Sequence, residues 1–211
     1  MALQDIHMEN HSLQLDLDNL DADPITQFRY WLNEALKSNV PEPTAMVLST
    51  ASSDGKPSSR VVLLKGVDNY GFTFFTNYES KKAEQIAENP LGSLLFYWPI
   101  LDRQVRIEGR ILKTASHESD EYFVSRPEGS KIGAWASPQS RRIPNREYLE
   151  NLQKDYMRLF RSKVLERPSN WGGYKLMPDL IEFWQSRENR LHDRFEYIRN
   201  GGRWEIYRLA P

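Results

Sequence analysis

The stretch TAMVLSTASSDGKPSSRVVLLKGVDNYGFTFFT, residues 44–76, decides the fold. Its runs of β-branched and aromatic residues at 44–50, 58–65 and 72–76 predict three strands. Turn-forming residues at 53–55 and 68–71 separate these runs, so the strands follow one another closely and predict an antiparallel meander. Such close connections favour a barrel over a doubly wound parallel sheet, which needs a helix between successive strands.

Outside this stretch, further strands outnumber the helices. Asp23 is a suitable N-cap and Pro24 a suitable first residue for a helix with Phe28 and Trp31 on its apolar stripe. The pattern predicts other helices at 80–88, 118–125 and 147–160, and strands at 93–98, 104–113, 180–184, 195–199 and 204–209. The predicted class is therefore a β-rich α+β fold.

Length and composition limit the function classes. The 211 residues with 39% hydrophobic content suit one domain at 23–211, preceded by a flexible polar arm at 1–22. No cysteine is present, which excludes disulfides, thiol nucleophiles and zinc–thiolate sites. The four scattered histidines favour no metal site. Neither a signal segment nor a long apolar run is visible, so we expect a cytoplasmic protein without a membrane partner.

Net charge near −1 removes the basic field that nucleic-acid binders commonly use, and the aromatic residues do not interleave with a continuous basic stripe. No GxGxxG motif follows a strand and no P-loop lysine motif occurs, so a Rossmann or P-loop nucleotide site is not expected. The cationic clusters of the chain are therefore candidates for local anions.

Two cationic segments lie near the opening stretch. Arg60 and Lys65 bracket its second strand, and in a regular strand they face opposite sides, so they share a ligand only if the strand twists. Ser80-Lys81-Lys82 opens a helix, where backbone N–H groups and a lysine favour phosphate. Solvent-exposed cations on an edge strand and a helix face are the alternative interpretation.

Two later segments add donors. Tyr122 and Arg126 are i and i+4 neighbours on a predicted helix, and the Arg126 guanidinium can bind phosphate through two hydrogen bonds. A helix end before Pro127 is the alternative interpretation. Drawn as an extended segment, residues 182–194 point Arg190 and His192 the same way, which predicts an anion clamp together with Arg194.

Six strings carry a resemblance to one family: RQVRIEG (103–109), YFVSRPEGS (122–130), IGAWASPQS (132–140), WGGY (171–174), EFWQSRENRLHDR (182–194) and RLAP (208–211). From about Asp23 to Pro211 the chain resembles the pyridoxine (pyridoxamine) 5'-phosphate oxidases. The resemblance implies an FMN-binding split β-barrel with peripheral helices, assembled as a homodimer that holds FMN between its subunits.

The resemblance also implies roles for individual residues. It implies FMN binding by Arg60, Val61, Val62, Leu63, Leu64, Lys65, Phe75, Thr76, Lys81, Lys82, Gln104, Gln139, Ser140, Trp184 and Arg194. It implies substrate binding by Lys65, Tyr122, Arg126, Ser130, Arg190, Leu191 and His192. The implied catalytic residues are Arg190, which orients the substrate and stabilises developing charge, and His192, which moves a proton near the ring hydroxyl.

The implied reaction oxidises pyridoxine 5'-phosphate or pyridoxamine 5'-phosphate to pyridoxal 5'-phosphate, with O2 as acceptor and H2O2 as product. Hydride leaves the C4' carbon for flavin N5. The chain departs from the family pattern in four places: His7-Met8-Glu9-Asn10 stands near a usual Arg–Tyr pair, Lys81 replaces an arginine, Lys131 a glutamine, and Ser186-Arg187 a glycine segment.

Two alternatives stay open. An FMN reductase with the same barrel and another substrate would keep the region of Arg60 and Lys82 without the Tyr122, Arg126 and Ser130 group. A non-catalytic protein that carries flavin or pyridoxal 5'-phosphate would keep all of these residues without reacting with O2.

Overall fold

The computed structural model describes residues 14–211. Nine strands form within them: β1 Ala45–Ala51, β2 Pro57–Leu63, β3 Gly66–Asp68, β4 Gly71–Asn77, β5 Leu91–Trp98, β6 Arg103–Lys113, β7 Trp171–Gln185, β8 Asp193–Asn200 and β9 Arg203–Leu209. Five α-helices form within the same residues: α1 Pro24–Lys37, α2 Lys81–Glu88, α3 Ser116–Ser125, α4 Glu128–Ala136 and α5 Arg146–Leu159. Short 3-10 helices occupy Leu17–Asn19, Pro99–Leu101 and Glu188–Arg190.

The strands form one antiparallel sheet in the order β2-β1-β5-β6-β7-β4-β3, and β8 and β9 continue from the second half of β7. Strands β2 and β3, at the two ends of this order, follow each other directly in the chain. The Leu64 N–H donates to the Thr44 carbonyl and the Lys65 N–H to the Thr73 carbonyl, both at 2.8 Å. Two residues connect the edges, so the sheet has to curl into a half-barrel. The predicted β-rich split-barrel class is confirmed.

Helix α1 packs on this curled sheet and supplies the centre of the core. Asp23 caps it, since its carboxylate accepts from the N–H groups of Ile25 and Thr26. The ring of Phe28 lies 4.9 Å from those of both Phe72 and Phe96. Truncation of such a buried ring to alanine costs about 3–5 kcal/mol. The N-cap and apolar stripe predicted for this helix are confirmed.

Strand β7 is longer than the sequence predicted, because it begins at Trp171 and not at residue 180. The pair Gly172-Gly173 weakens the strand pattern. The structure requires glycine there, since Gly173 pairs with Phe75 of β4. A Cβ atom on Gly173 would lie 2.4 Å from Thr114 Oγ1 and 2.9 Å from the Phe75 ring.

The extended geometry predicted for residues 182–194 is wrong. Strand β7 ends at Gln185, and the Ser186 N–H donates to the Asp102 carbonyl at 2.9 Å. Asn189 and Arg190 have φ values of 55° and 60°, which turn the chain before β8 begins. Arg190 and Arg194 therefore do not share a strand.

One strand and one α-helix of the described residues were not predicted. Strand β3 has three residues, too few for a visible alternation. Helix α4 follows Pro127 and contains Gly129 and Gly133, which lower the helix propensity of its nine residues. The sequence prediction ended the helical region at residue 125 and so omitted it.

Residues 14–22 of the predicted arm pack against the end of the sheet. The Leu15 N–H donates to Asp193 Oδ2 at 3.2 Å, and Arg208 forms an ion pair with Asp16 at 2.8 Å. Leu15 is buried in the core. The departure predicted at His7 to Asn10 lies outside the described residues.

Candidate functional site

A cavity of about 490 Å³ opens between β2, β4, α2 and the turn from α3 to α4. We call it the cationic cavity, because four cationic side chains and no carboxylate line it. Its lining residues are Arg60, Val61, Val62, Leu63, Lys65, Phe75, Thr76, Lys82, Tyr122, Arg126, Pro127, Ser130, Gln139 and Trp171. All of them except Pro127 and Trp171 were predicted site residues. Another cavity of similar volume, about 500 Å³ between β1, β5 and β6, has no cationic lining residue.

The end of strand β2 brings Arg60 and Lys65 to the same cavity. The strand stops at Leu63, so the alternation that would separate the two side chains does not continue to Lys65. The Arg60 guanidinium donates to the Leu48 carbonyl at 3.2 Å and to Thr50 Oγ1 at 2.7 Å. Leu64, predicted as a flavin contact, is buried in the core and does not line the cavity.

Lys82 is the buried cation of the cavity. Its Nζ donates to Gln139 Oε1 at 2.8 Å and to Thr76 Oγ1 at 3.0 Å. Burial, and then repulsion from Arg60, lowers the pKa of Lys82 to about 8. An anion in the cavity would stabilise its charged form. The neighbouring Lys81 is exposed on the first turn of α2 and is not a lining residue.

Tyr122, Arg126 and Ser130 meet at one wall of the cavity. Helix α3 ends at Ser125, so Arg126 is its C-cap and not the helical i+4 residue that the sequence predicted. Arg126 Nη1 is buried and has no hydrogen-bond partner among residues 14–211. Burial lowers the pKa of Arg126 from its usual value. A buried, unpaired donor costs about 1–3 kcal/mol, which an anionic ligand would recover.

Stacked aromatic rings support this wall. The ring of Phe75 lies 4.0 Å from that of Tyr122 and 5.6 Å from that of Trp171, with interplanar angles of 20° and 12°. The Arg126 guanidinium carbon lies 4.5 Å from the centre of the Trp171 ring. Sequence reasoning assigned Trp171 no role, although the glycine pair beside it in the WGGY string signals close packing.

The other predicted site residues form a second group, which we call the C-terminal cluster: Gln104, Trp184, Arg190, Leu191, His192 and Arg194. Gln104, Trp184 and Arg194 are paired neighbours across β6, β7 and β8. The His192 ring lies 4.6 Å from that of Trp184. Arg190 and Leu191 are exposed.

Within one chain the two groups do not meet. Strand β7 borders both groups, but at opposite ends, since Trp171 lines the cavity and Trp184 belongs to the C-terminal cluster. None of the C-terminal cluster lines the cationic cavity, and neither does Ser140, which is exposed with a φ of 67°.

Glu182 anchors the strand part of the C-terminal cluster. Its side chain is 2% exposed and binds Arg194 Nε at 2.8 Å and Arg106 Nη1 at 3.0 Å. Hydrogen bonding to Glu182 raises the pKa of Arg194. Arg194 Nη1 also donates to the Ala210 carbonyl at 2.8 Å, which explains why the terminal RLAP string belongs with this cluster.

Residues 14–211 contain no group of three or more His, Cys, Asp or Glu side chains placed to hold a metal ion. A search of the same range finds no helix with the length and apolar character needed to cross a membrane.

Comparisons of sequence identify the family. The family model of pyridoxamine 5'-phosphate oxidase matches residues 32–151, and that of the pyridoxine 5'-phosphate oxidase C-terminal dimerisation region matches residues 171–211. A pyridoxine/pyridoxamine 5'-phosphate oxidase of Paraburkholderia phymatum is 52% identical over 205 residues, 96% of each chain. One from Cyanothece sp. is 46% identical over 211 residues, 100% of this chain and 99% of its own.

Comparisons of structure agree on the fold. PhzG from Burkholderia lata, solved in complex with tetrahydrophenazine-1-carboxylic acid, has a TM-score of 0.89 and 33% identity, over 95% of this chain and 99% of its own. A pyridoxamine 5'-phosphate oxidase-related, FMN binding protein from Nostoc punctiforme has a TM-score of 0.69 and 21% identity, over 87% and 97% of the chains, and shares the fold. The chain is therefore an oxidoreductase that belongs to the pyridoxine/pyridoxamine 5'-phosphate oxidase family.

Proposed function

We propose that the protein oxidises pyridoxine 5'-phosphate or pyridoxamine 5'-phosphate to pyridoxal 5'-phosphate, with O2 as acceptor and H2O2 as product. The observation that carries this proposal is Arg126, whose buried Nη1 has no hydrogen-bond partner among residues 14–211 and whose side chain lines the same cavity as Lys82. Two separate cationic anchors match two phosphate groups, one on the cofactor and one on the substrate.

FMN is the cofactor of this family, and the residues of the cationic cavity fit it. Lys82 and Arg60 would hold the FMN phosphate, since both are half-buried or buried cations without a carboxylate partner in the cavity lining. Residues 61–65 offer backbone groups to a flat ring where β2 ends. Bound FMN supplies the hydride acceptor, which protein side chains cannot provide.

The substrate phosphate would lie between Lys65 and the wall that Arg126, Tyr122 and Ser130 form, since all four side chains line the cavity. Arg126 supplies a guanidinium with a free N–H, and Ser130 lies in the first turn of α4, where backbone N–H groups favour anions. Holding the phosphate fixes one end of the substrate, so the C4' carbon has a defined position relative to the cofactor.

Arg190 and His192 would act on the ring of the vitamin, Arg190 by orienting it and His192 by moving a proton near its hydroxyl. Both residues lie in the part of the chain that matches the dimerisation region. We infer that two subunits of a homodimer complete each other's site, with FMN at their interface. Within one chain, none of the C-terminal cluster residues lines the cationic cavity, which supports this arrangement.

A second candidate is oxidation of a reduced phenazine carboxylate, which the similarity to PhzG favours. Its carboxylate can also accept hydrogen bonds from the Arg126 guanidinium, so a direct comparison of the two substrates has to decide between them. A flavin carrier without turnover and an FMN reductase with another substrate are the remaining alternatives. A cytoplasmic location stays a prediction.

The visible spectrum of the FMN-loaded protein tests the proposal. Anaerobic pyridoxamine 5'-phosphate or pyridoxine 5'-phosphate should bleach the flavin, and air should restore the colour with one H2O2 for each substrate oxidised. A flavin that stays oxidised with both phosphates but is bleached by tetrahydrophenazine-1-carboxylic acid would favour the second candidate. A flavin that none of these compounds bleaches would favour a carrier or an FMN reductase with another substrate.

A further inference from the structure

Arg126 is held differently from the other buried cations of the cationic cavity. Arg60 and Lys82 each donate several hydrogen bonds to protein oxygens, among them Thr50 Oγ1 and Gln139 Oε1. The Arg126 guanidinium instead lies over the Trp171 ring at 4.5 Å, while Nη1 has no hydrogen-bond partner among residues 14–211. Ring contact therefore fixes the cation and leaves a donor available for ligand.

Trp171 is itself rigidly placed. It is 6% exposed and pairs with Asn77 of β4. Its ring is parallel to that of Phe75 and tilted by 66° against that of Phe123 at 5.4 Å. Its carbonyl accepts a hydrogen bond from Arg167 Nη1 at 2.6 Å. An indole fixed on several sides gives the guanidinium one well-defined surface to lie on.

We propose that Trp171 is a positioning residue for the substrate phosphate, acting through Arg126. This inference rests on the proposed function and adds a determinant of its specificity. The indole face attracts a cation without using its N–H groups. A carboxylate in the same place would occupy those donors and compete with the phosphate. The cavity thereby favours substrates with an anionic group at this end over substrates without one.

Kinetics of Trp171→Phe and Trp171→Leu in the FMN-loaded enzyme test this role. We expect KM for pyridoxamine 5'-phosphate to rise about tenfold in Trp171→Leu and about threefold in Trp171→Phe, which keeps a smaller ring. We expect kcat and the Kd for FMN to stay within about twofold, because the indole acts on the phosphate end of the substrate. Trp204→Phe, which alters a partly buried tryptophan whose ring centre lies 5.9 Å from the Arg199 guanidinium carbon, is the matched control.

A double-mutant cycle separates positioning from general packing. In an Arg126→Ala background, Trp171→Phe should raise KM no further, because the cation that it positions is gone. An equal rise in both backgrounds, or an increase in the Kd for FMN as large as that in KM, would overturn the inference. Trp171→Phe keeps this cycle interpretable even where Trp171→Leu fails to fold.

The same variants also separate this inference from the proposed function. If the wild-type enzyme oxidises no pyridoxamine 5'-phosphate, the proposed function fails. The Kd for pyridoxal 5'-phosphate, read from its absorbance, then replaces KM. An Arg126-dependent loss of that affinity in Trp171→Phe would still support the positioning role, and an unchanged Kd would refute it.

Discussion

The cationic cavity and the C-terminal cluster differ in how their side chains are fixed. In the cavity, Lys82 is tied by hydrogen bonds and Arg126 lies on a stack of aromatic rings. In the cluster, Glu182 fixes Arg194, but Arg190 and Leu191 are exposed on a turn between strands. Within one chain the cationic cavity is therefore held by many contacts, whereas the loop that carries Arg190 is exposed.

The backbone of the turn supports this distinction. Arg190 has a φ of 60°, a left-handed conformation that costs a residue with a side chain about 1–2 kcal/mol. Asn189, with a φ of 55°, tolerates the conformation better. Strained residues concentrate at functional sites, where surrounding contacts maintain them. The left-handed φ of Arg190 supports the proposal that this turn takes part in the reaction.

Removal of the Arg126 guanidinium should give the largest effect on catalysis. We expect Arg126→Ala to lower kcat/KM for pyridoxamine 5'-phosphate about a thousandfold, since a charge-assisted contact to a partly buried phosphate is worth several kcal/mol. Steady-state H2O2 production measures it. Arg146→Ala, which removes an exposed arginine of α5 paired with Glu150, should change it less than twofold. A loss below about fivefold in Arg126→Ala would contradict the assignment of the substrate phosphate.

Local signals in the sequence mark candidate parts of the cavity, and the family resemblance brought these parts together as one predicted site. Helix α2 begins after Ser80, and the turn after α3 is marked by Pro127, so the cations at these positions could be anticipated. From the sequence, Arg60 and Lys65 could be expected to line one cavity only if the strand between them twists or ends. Where β2 stops depends on the closure of the sheet by residues 64–65, which is a tertiary event.

The sequence did not predict the turn before β8, and it did not indicate the contacts of Trp171. An alternating sequence predicts an extended chain, and nothing local to Arg190 indicates a φ of 60°. Trp171 acquires its significance from Phe75 and Arg126, which lie far from it in sequence. Their contact depends on the β4–β7 pairing and on the absence of a side chain at Gly173.

Loss of the Arg190 side chain should lower turnover without releasing FMN from the cationic cavity. We expect Arg190→Ala to lower kcat about a hundredfold, because a residue that stabilises developing charge supplies about 2.7–4 kcal/mol. The flavin absorbance of the purified variant should stay within about twofold of wild type. Equal losses of turnover and flavin occupancy would show that Arg190 holds the cofactor instead.

Mixing the two variants tests whether the regions cooperate between subunits. When Arg126→Ala and Arg190→Ala dimers exchange subunits, half of the dimers are mixed, and each has one intact site if the cavity and the loop come from different chains. About a quarter of wild-type activity should return. Sites built within one chain would regain none. Mixing Arg126→Ala with Lys82→Ala is the control, because both defects lie in the cavity and leave no site intact.

The pH dependence of FMN affinity tests the role of Lys82, and it is the smallest of the effects that we expect. Lys82 has a pKa of about 8 in the folded protein without ligand, below its usual 10.5. Above pH 8 it loses the proton that a phosphate dianion would stabilise, so the Kd for FMN should rise about tenfold between pH 7 and pH 9. The FMN-free protein should instead become more stable as the pH rises, although its affinity for FMN falls. Between pH 8 and 10.5 the unfolded chain binds more protons at this lysine, so the free energy of unfolding rises with pH.

Two lysine variants decide whether this dependence belongs to the cavity. Lys82→Met should bind FMN weakly and abolish most of the change between pH 7 and pH 9, because the titrating ammonium is gone. Lys81→Met is the matched control, since Lys81 is exposed on the same helix turn and does not line the cavity. It should keep the wild-type slope. If Lys81→Met abolished the pH dependence of the Kd and Lys82→Met did not, the FMN phosphate would bind at the surface of α2 and not in the cationic cavity.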